Sequence, residues 1–174
     1  REAFAEQAGA LSAGGVDGFI IETMTAIEEL VLAVEAIKSV TDELPILASM
    51  SYDNAGGDFR TMMGVGPDAA VAKMLEIGVD AVGYNCGTLS LDEYVTLSER
   101  IVEAVGSIGA DTVVLAEPNA GKPELVDDRV VYKVCDTDFA AAAQRILATG
   151  ITIIGGCCGT APEHIRALAE QLNA

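Results

Sequence analysis

Apolar residues follow two rhythms along this chain. Short runs that are apolar or small at nearly every position recur as GGVDGFIIET at 14–23, IGVDAVGYNC at 77–86 and TGITIIGGCC at 149–158. Each is entered through a glycine after an alanine-rich amphipathic stretch. Two more runs, PILASMS at 45–51 and TVVLAE at 112–117, lack that entry but have the same texture. All are too short for helices, and near-continuous apolarity is what a strand buried on both faces requires. Between them the period changes. Thr25 to Val40 places Ile27, Leu30, Val31, Val34 and Ile37 on one helical face with glutamates opposite. Pro67 suits the first turn of a helix that runs to Ile77, where Gly78 stops it. The stretches 91–105, 138–148 and 162–172 carry the same signal. Strand and helix in alternation predict an α/β fold with a parallel sheet and helices outside it.

Five strands are expected, centred near 20, 48, 83, 114 and 153. A closed barrel needs eight strands and roughly 250 residues. The pattern therefore fits either an open five-stranded sheet or about the last five βα units of a (β/α)8 TIM barrel, a partial barrel. It does not separate the two.

Composition narrows the function more than the fold. Hydrophobic residues make up 51% of the 174 and charged residues 21%, as in a globular domain. The 27 acidic residues against 10 basic ones give a net charge of −17, a field that repels nucleic acid and anionic membranes. No apolar run reaches the ~18–20 residues of a membrane span, and no export signal opens the sequence. A cytoplasmic location is expected. The first residue is Arg1 rather than methionine, which suggests a sequence that begins inside a longer protein.

Four cysteines are too few for a disulfide scaffold, and the adjacent pair Cys157–Cys158 is poorly suited to bonding with itself. Chemistry is expected where strands end, since sheets of this class place ligands there. Those positions are Glu22-Thr23, Tyr52-Asp53-Asn54, Asn85-Cys86, Glu117-Pro118-Asn119 and the run from Gly155 to Thr160. Three sulfurs, from Cys86, Cys157 and Cys158, could thus meet at one mouth. A catalytic zinc site has three protein ligands and one open position. Neighbouring strand residues face opposite ways, so both paired cysteines reach one metal only if Gly155, Gly156 and Gly159 break the strand. Small buried apolar cysteines are the competing reading. Cys135 lies in a polar connection and reads as incidental. His164, the sole histidine, reads as a packing or solvent-contact residue and excludes histidine-based triads. Glu22 could bind an ammonium group or pair with a nearby base. Asp17 and Asp80 read as structural, and the glycine-rich loop at 56–66 has no phosphate-binding form.

The segments GGCCGTAPEHIRAL at 155–168, GYNC at 83–86, EPNAGKPEL at 117–125 and the GVDGFIIET strand entry, in that family's order, resemble the homocysteine S-methyltransferase family. The resemblance implies a (β/α)8 barrel spanning residues 1–174, whose N-terminal strands are absent from this sequence, and Zn2+ at its mouth. It implies that Cys86, Cys157 and Cys158 are the zinc ligands, through which the catalysis runs. Glu22 falls on the residue that binds the homocysteine ammonium, and Asn119 near the amino-acid end of the substrate. Asn85 is expected to orient the substrate site. The implied activity is zinc-dependent methyl transfer to the homocysteine thiol, yielding methionine. The implied partners are homocysteine and a methyl donor: a corrinoid, methyltetrahydrofolate, S-methylmethionine or betaine. Additional corrinoid or folate domains are implied with them. The rivals are a non-catalytic zinc-binding module and a phosphate-binding barrel isomerase or aldolase. The paired cysteines and the lack of a lysine at any strand end count against the second.

Overall fold

A computed structural model describes residues 1–173. In chain order its elements are α1 (Glu2–Ala13), β1 (Phe19–Met24), α2 (Ile27–Lys38), β2 (Ile46–Met50), β3 (Asp53–Ala55), β4 (Asp58–Arg60), α3 (Pro67–Glu76) and β5 (Ala81–Asn85). Then follow α4 (Leu91–Ile108), β6 (Val113–Glu117), β7 (Glu124–Val126), β8 (Arg129–Val131), α5 (Asp136–Ala148), β9 (Ile153–Ile154) and α6 (Pro162–Leu172). Five strands form one sheet in the order β1-β2-β5-β6-β9, and every pairing is parallel. These are the five strands the apolar runs predict. Their sequential order is that of a (β/α) barrel, of which this is a part.

Position in the sheet explains which strands are wholly buried. β5 lies at the centre and is buried at all of its five positions. β1 lies at an edge and alternates, with Phe19 and Ile21 buried and Ile20 46% exposed. Fully burying a side chain such as Val82 contributes ~1.5–3 kcal/mol, and the central strand shares the core with the helices packed on it. Gly83 is a spatial necessity there. A Cβ at that position would stand 1.9 Å from the carbonyl oxygen of Leu115, its partner on β6.

The helices cover one side of this sheet. α2 contributes Leu30, Val34 and Ile37, and α4 contributes Leu97 and Ile101, all buried. Boundaries follow local chemistry. α3 begins with Pro67 in its first turn. α4 opens on a reciprocal cap between Ser90 and Glu93 and closes on Gly109 in the left-handed conformation. Asp80 takes the structural place expected of it, where its Oδ2 accepts from the Ile46 N–H at 2.8 Å. Two features go beyond the predicted elements. α1 precedes β1, and two short antiparallel hairpins, β3–β4 and β7–β8, sit in the connections after β2 and β6. Among the described residues no helix is long and apolar enough to cross a membrane.

Candidate metal and substrate site

Because the sheet is parallel, the C-terminal ends of its strands share one side, and the predicted polar residues gather there. Cys86 follows β5. It adopts φ +57, and its N–H donates to the Glu117 carbonyl at 3.2 Å. Cys157 and Cys158 lie past the end of β9, where the chain has left strand geometry. The Thr160 N–H and hydroxyl both turn back to the Cys157 carbonyl, at 3.2 and 2.7 Å. That irregular turn lets adjacent cysteines face the same way. The Cys86 and Cys158 sulfurs are 3.8 Å apart, those of Cys157 and Cys158 4.0 Å, and all three lie within 4.8 Å of one another.

The spacing fits a metal. Tetrahedral zinc–thiolate bonds of ~2.3 Å set neighbouring sulfurs ~3.8 Å apart. The electrostatics agree. Burial pushes the Cys157 thiol up to about 12, the charge of Cys86 pushes in the same direction, and a hydrogen bond from Asn85 opposes them. Burial thus disfavours a bare thiolate at Cys157, and three sulfurs at this spacing are a donor set that could hold a zinc ion. Cys135 is elsewhere. It caps the start of α5, exposed, with its sulfur 3.2 Å from the Thr137 hydroxyl.

Around the sulfurs is a scaffold of buried polar groups. Asn119 is 1% exposed. Its Nδ2 donates to the Gly87 carbonyl at 2.7 Å, and its Oδ1 accepts from the Cys158 N–H at 3.0 Å. It thereby ties the two cysteine-bearing loops together. Asn85 is fully buried and bonded to Thr23, Ser49 and Cys157. Both asparagines lie behind the cluster. Tyr94 adds a third tie, donating to the Cys86 carbonyl at 2.8 Å and accepting from the Asn119 N–H at 3.3 Å. Its ring stacks on Tyr84 with centroids 5.6 Å apart.

Glu22 lies in the last half of β1, two residues before its end, exposed, and its charge reaches Glu117 at the end of β6. Burial raises the Glu117 carboxyl to about 7 and Glu22 raises it further in the same direction, while its Oε2 is buried without a hydrogen-bond partner. A desolvated carboxyl within reach of a second acidic side chain gives this part of the mouth an acidic character.

Two contributors escape a reading of the sequence. Tyr132, after the β7–β8 hairpin, lies against Gly159, where an added Cβ would stand 2.2 Å from its ring. Apart from burial, the strongest influence on its phenol is Cys158. No spacing rule links 132 to 158; only the hairpin brings them together. Glu117 is visible in the sequence as a strand-end residue, but its electrostatic link to Glu22 depends on the fold. His164 proves structural, as expected. It is 8% exposed, accepts at Nδ1 from the Ala161 N–H at 3.1 Å, and has Nε2 3.0 Å from the Val134 carbonyl.

Known proteins agree with this architecture. The family described as Homocysteine S-methyltransferase matches residues 1–172. The methionine synthase of Mycobacterium leprae is 30% identical over 177 residues, covering 99% of this chain and 14% of that protein. The methionine synthase of Mycobacterium tuberculosis matches with the same identity and coverage. The chain thus spans only 14% of the length of these curated relatives. Among solved structures, the apo homocysteine methyltransferase MmuM from Escherichia coli superposes with a TM-score of 0.72 at 22% identity, over 98% of this chain and 57% of that one. A 2,3-dimethylmalate lyase of the PEP mutase/isocitrate lyase superfamily gives 0.65 at 16% identity, over 97% and 61%. At these identities the structural likenesses establish the barrel fold.

Proposed function

The chain belongs to the homocysteine S-methyltransferase family, and on that premise we propose that Cys86, Cys157 and Cys158 hold a zinc ion with which the homocysteine thiol is activated for methyl transfer, yielding methionine. The observation that carries this reading is the meeting of three sulfurs from two strand ends within 4.8 Å. A zinc ion bound there supplies the Lewis acidity that keeps a thiol ionised near pH 7, where a free thiol of pKa near 8.5 is only a few per cent thiolate.

The chain's own residues do the rest. Three cysteinates give the site a net negative charge, so a fourth sulfur beside them keeps its electron density and its nucleophilicity. Glu22 pairs with the substrate ammonium, and its charge extends to Glu117 at the end of β6. Asn119 and Tyr94 hold the two cysteine loops at a fixed separation, and Tyr132 covers the Cys158 side. The methyl donor, whether a corrinoid, a folate delivered through one, S-methylmethionine or betaine, is bound by segments or domains beyond these residues. Residues 1–174 form the homocysteine-binding barrel domain in this reading, and the strands that complete an eight-stranded closure come from outside the sequence. A purely structural zinc site would call for a fourth protein ligand, and Cys135 stands apart from the cluster.

Zinc stoichiometry tests the assignment. Cys86→Ala, Cys157→Ala and Cys158→Ala should each lose the metal, while Cys135→Ala retains about one equivalent. Elemental analysis of the four purified variants decides it. Full zinc in Cys157→Ala removes the proposed ligand set.

A further inference from the structure

β1 does not leave the sheet as a regular strand. Between the pairs Ile21↔Ala48 and Met24↔Met50 it carries one residue more than β2. The result is a bulge at Glu22–Thr23, and bulges beside functional sites re-aim side chains. Thr23 sits at φ +60, a conformation that β-branched residues rarely adopt. Something must hold it there.

A single side chain from another strand does so. The Thr23 N–H donates to Asn85 Oδ1 at 2.7 Å, and Asn85 Nδ2 donates to Thr23 Oγ1 at 2.8 Å. The Thr23 N–H can only donate, which fixes the end of the amide that carries the oxygen. Asn85 Oδ1 accepts a second bond from the Ser49 hydroxyl at 2.6 Å, and Nδ2 also reaches the Cys157 sulfur at 3.7 Å. Two acceptor and two donor positions are all an amide has, so Asn85 is locked into one pose. Asn85 and Ser49 are both 0% exposed, and in such surroundings each of these bonds is costly to leave unmade.

We propose that Asn85 is a positioning residue that couples the two ends of the substrate site, clamping the bulge that sets Glu22 while donating from the same amide to the Cys157 sulfur. A donor beside a thiolate stabilises its charge and fixes its direction. A clamp on Thr23 fixes the residue that follows Glu22, and with it the path of the carboxylate. The amine contact and the thiolate are thereby held in register by one group, which neither could achieve from its own strand. The inference rests on the reading of Glu22 as the ammonium contact and of the cysteines as metal ligands.

The test uses the full chain loaded with cobalt(II), whose thiolate charge-transfer absorption reports on the sulfurs, and titrates it with homocysteine. Thr23→Ala and Thr23→Ser differ by one hydroxyl on an exposed residue, and thermal melts confirm that both fold. Thr23→Ala should weaken homocysteine binding about tenfold, at the low end for residues that orient a metal site, while Thr23→Ser binds as the parent does. In a Glu22→Gln background, Thr23→Ala should add no further loss. Asn85→Asp keeps the shape but replaces the donor facing Cys157 with an acceptor. It should shift the charge-transfer band and weaken cobalt binding by about 10–100-fold. Parent-like binding by Thr23→Ala, a loss additive with Glu22→Gln, or an unshifted band in Asn85→Asp overturns the inference. If Glu22→Gln is weak and Thr23→Ala normal, the reading of the site stands and the coupling alone falls. If Glu22→Gln itself binds homocysteine normally, the reading of Glu22 fails and the coupling fails with it.

Discussion

Glu117 shows how one residue can oppose the stability of the chain that carries it. Burial and the charge of Glu22 raise its carboxyl to about 7, above the ordinary value near 4.5, so folding favours the protonated form. Between pH ~4.5 and ~7 the unfolded chain releases this proton while the folded chain keeps it, and stability falls as pH rises through that window. The metal-free Glu117→Gln variant should therefore match the parent near pH 4 and exceed it near pH 8. After discounting for solvent access, the gain is on the order of 1 kcal/mol, read from urea midpoints at the two pH values. Equal midpoints at pH 8 would show that the carboxyl is not held in this way. At this scale the cysteines were legible, since strand ends converge in any parallel sheet and the paired sulfurs stand where a strand stops. The ties made by Asn85, Asn119, Tyr94 and Tyr132 were not, because each bridges segments between 8 and 72 residues apart that only the tertiary fold brings together.

The elements themselves were read with fair accuracy because their cores follow period and their ends follow local chemistry. α3 starts at the predicted Pro67, and four of the five sheet strands fall inside the predicted apolar runs, while β1 runs one residue past its own, to Met24. α4 runs to Ile108, beyond the expected 105, because its true stop is Gly109 at φ +69. The two hairpins were missed since their strands have three residues each and little burial, which leaves no periodicity to detect. The cap of α4 also serves the site. Glu93 accepts from the Ser90 N–H and hydroxyl at 2.7 Å and pairs with Lys122 at 2.9 Å, which anchors the loop that carries Asn119. Partial burial would raise the Glu93 carboxyl, but Lys122 and Ser90 outweigh it and bring it down to about 2. Ser90→Ala should cost ~1 kcal/mol of stability, measured by urea unfolding. No loss would mean that the cap contributes nothing to α4.

At the scale of the molecule, sequential parallel order leaves β1 and β9 each with one neighbour. A closed barrel has no such edges. The helices cover the outer face, but beside β1 an apolar groove lined by Phe4, Leu11, Phe19 and Ile20 is open. Local stability should follow this layout. In native-state hydrogen exchange, amides of β5 should exchange most slowly and those of β9 and the outer side of β1 fastest; uniform protection across the five strands would show that the edges are closed. The sequence left open sheet and partial barrel unresolved, because strand order is a long-range property that apolar runs do not encode. Function depends on the same long-range arrangement, since β5 carries one sulfur to the mouth and the end of β9 carries two. The central claim is that these sulfurs hold a zinc ion with one position left for the substrate thiol. X-ray absorption at the zinc edge of the loaded chain tests it most directly. The account predicts three sulfur neighbours at ~2.3 Å, rising to four when homocysteine is added. A sulfur count that does not change at saturating homocysteine would contradict it.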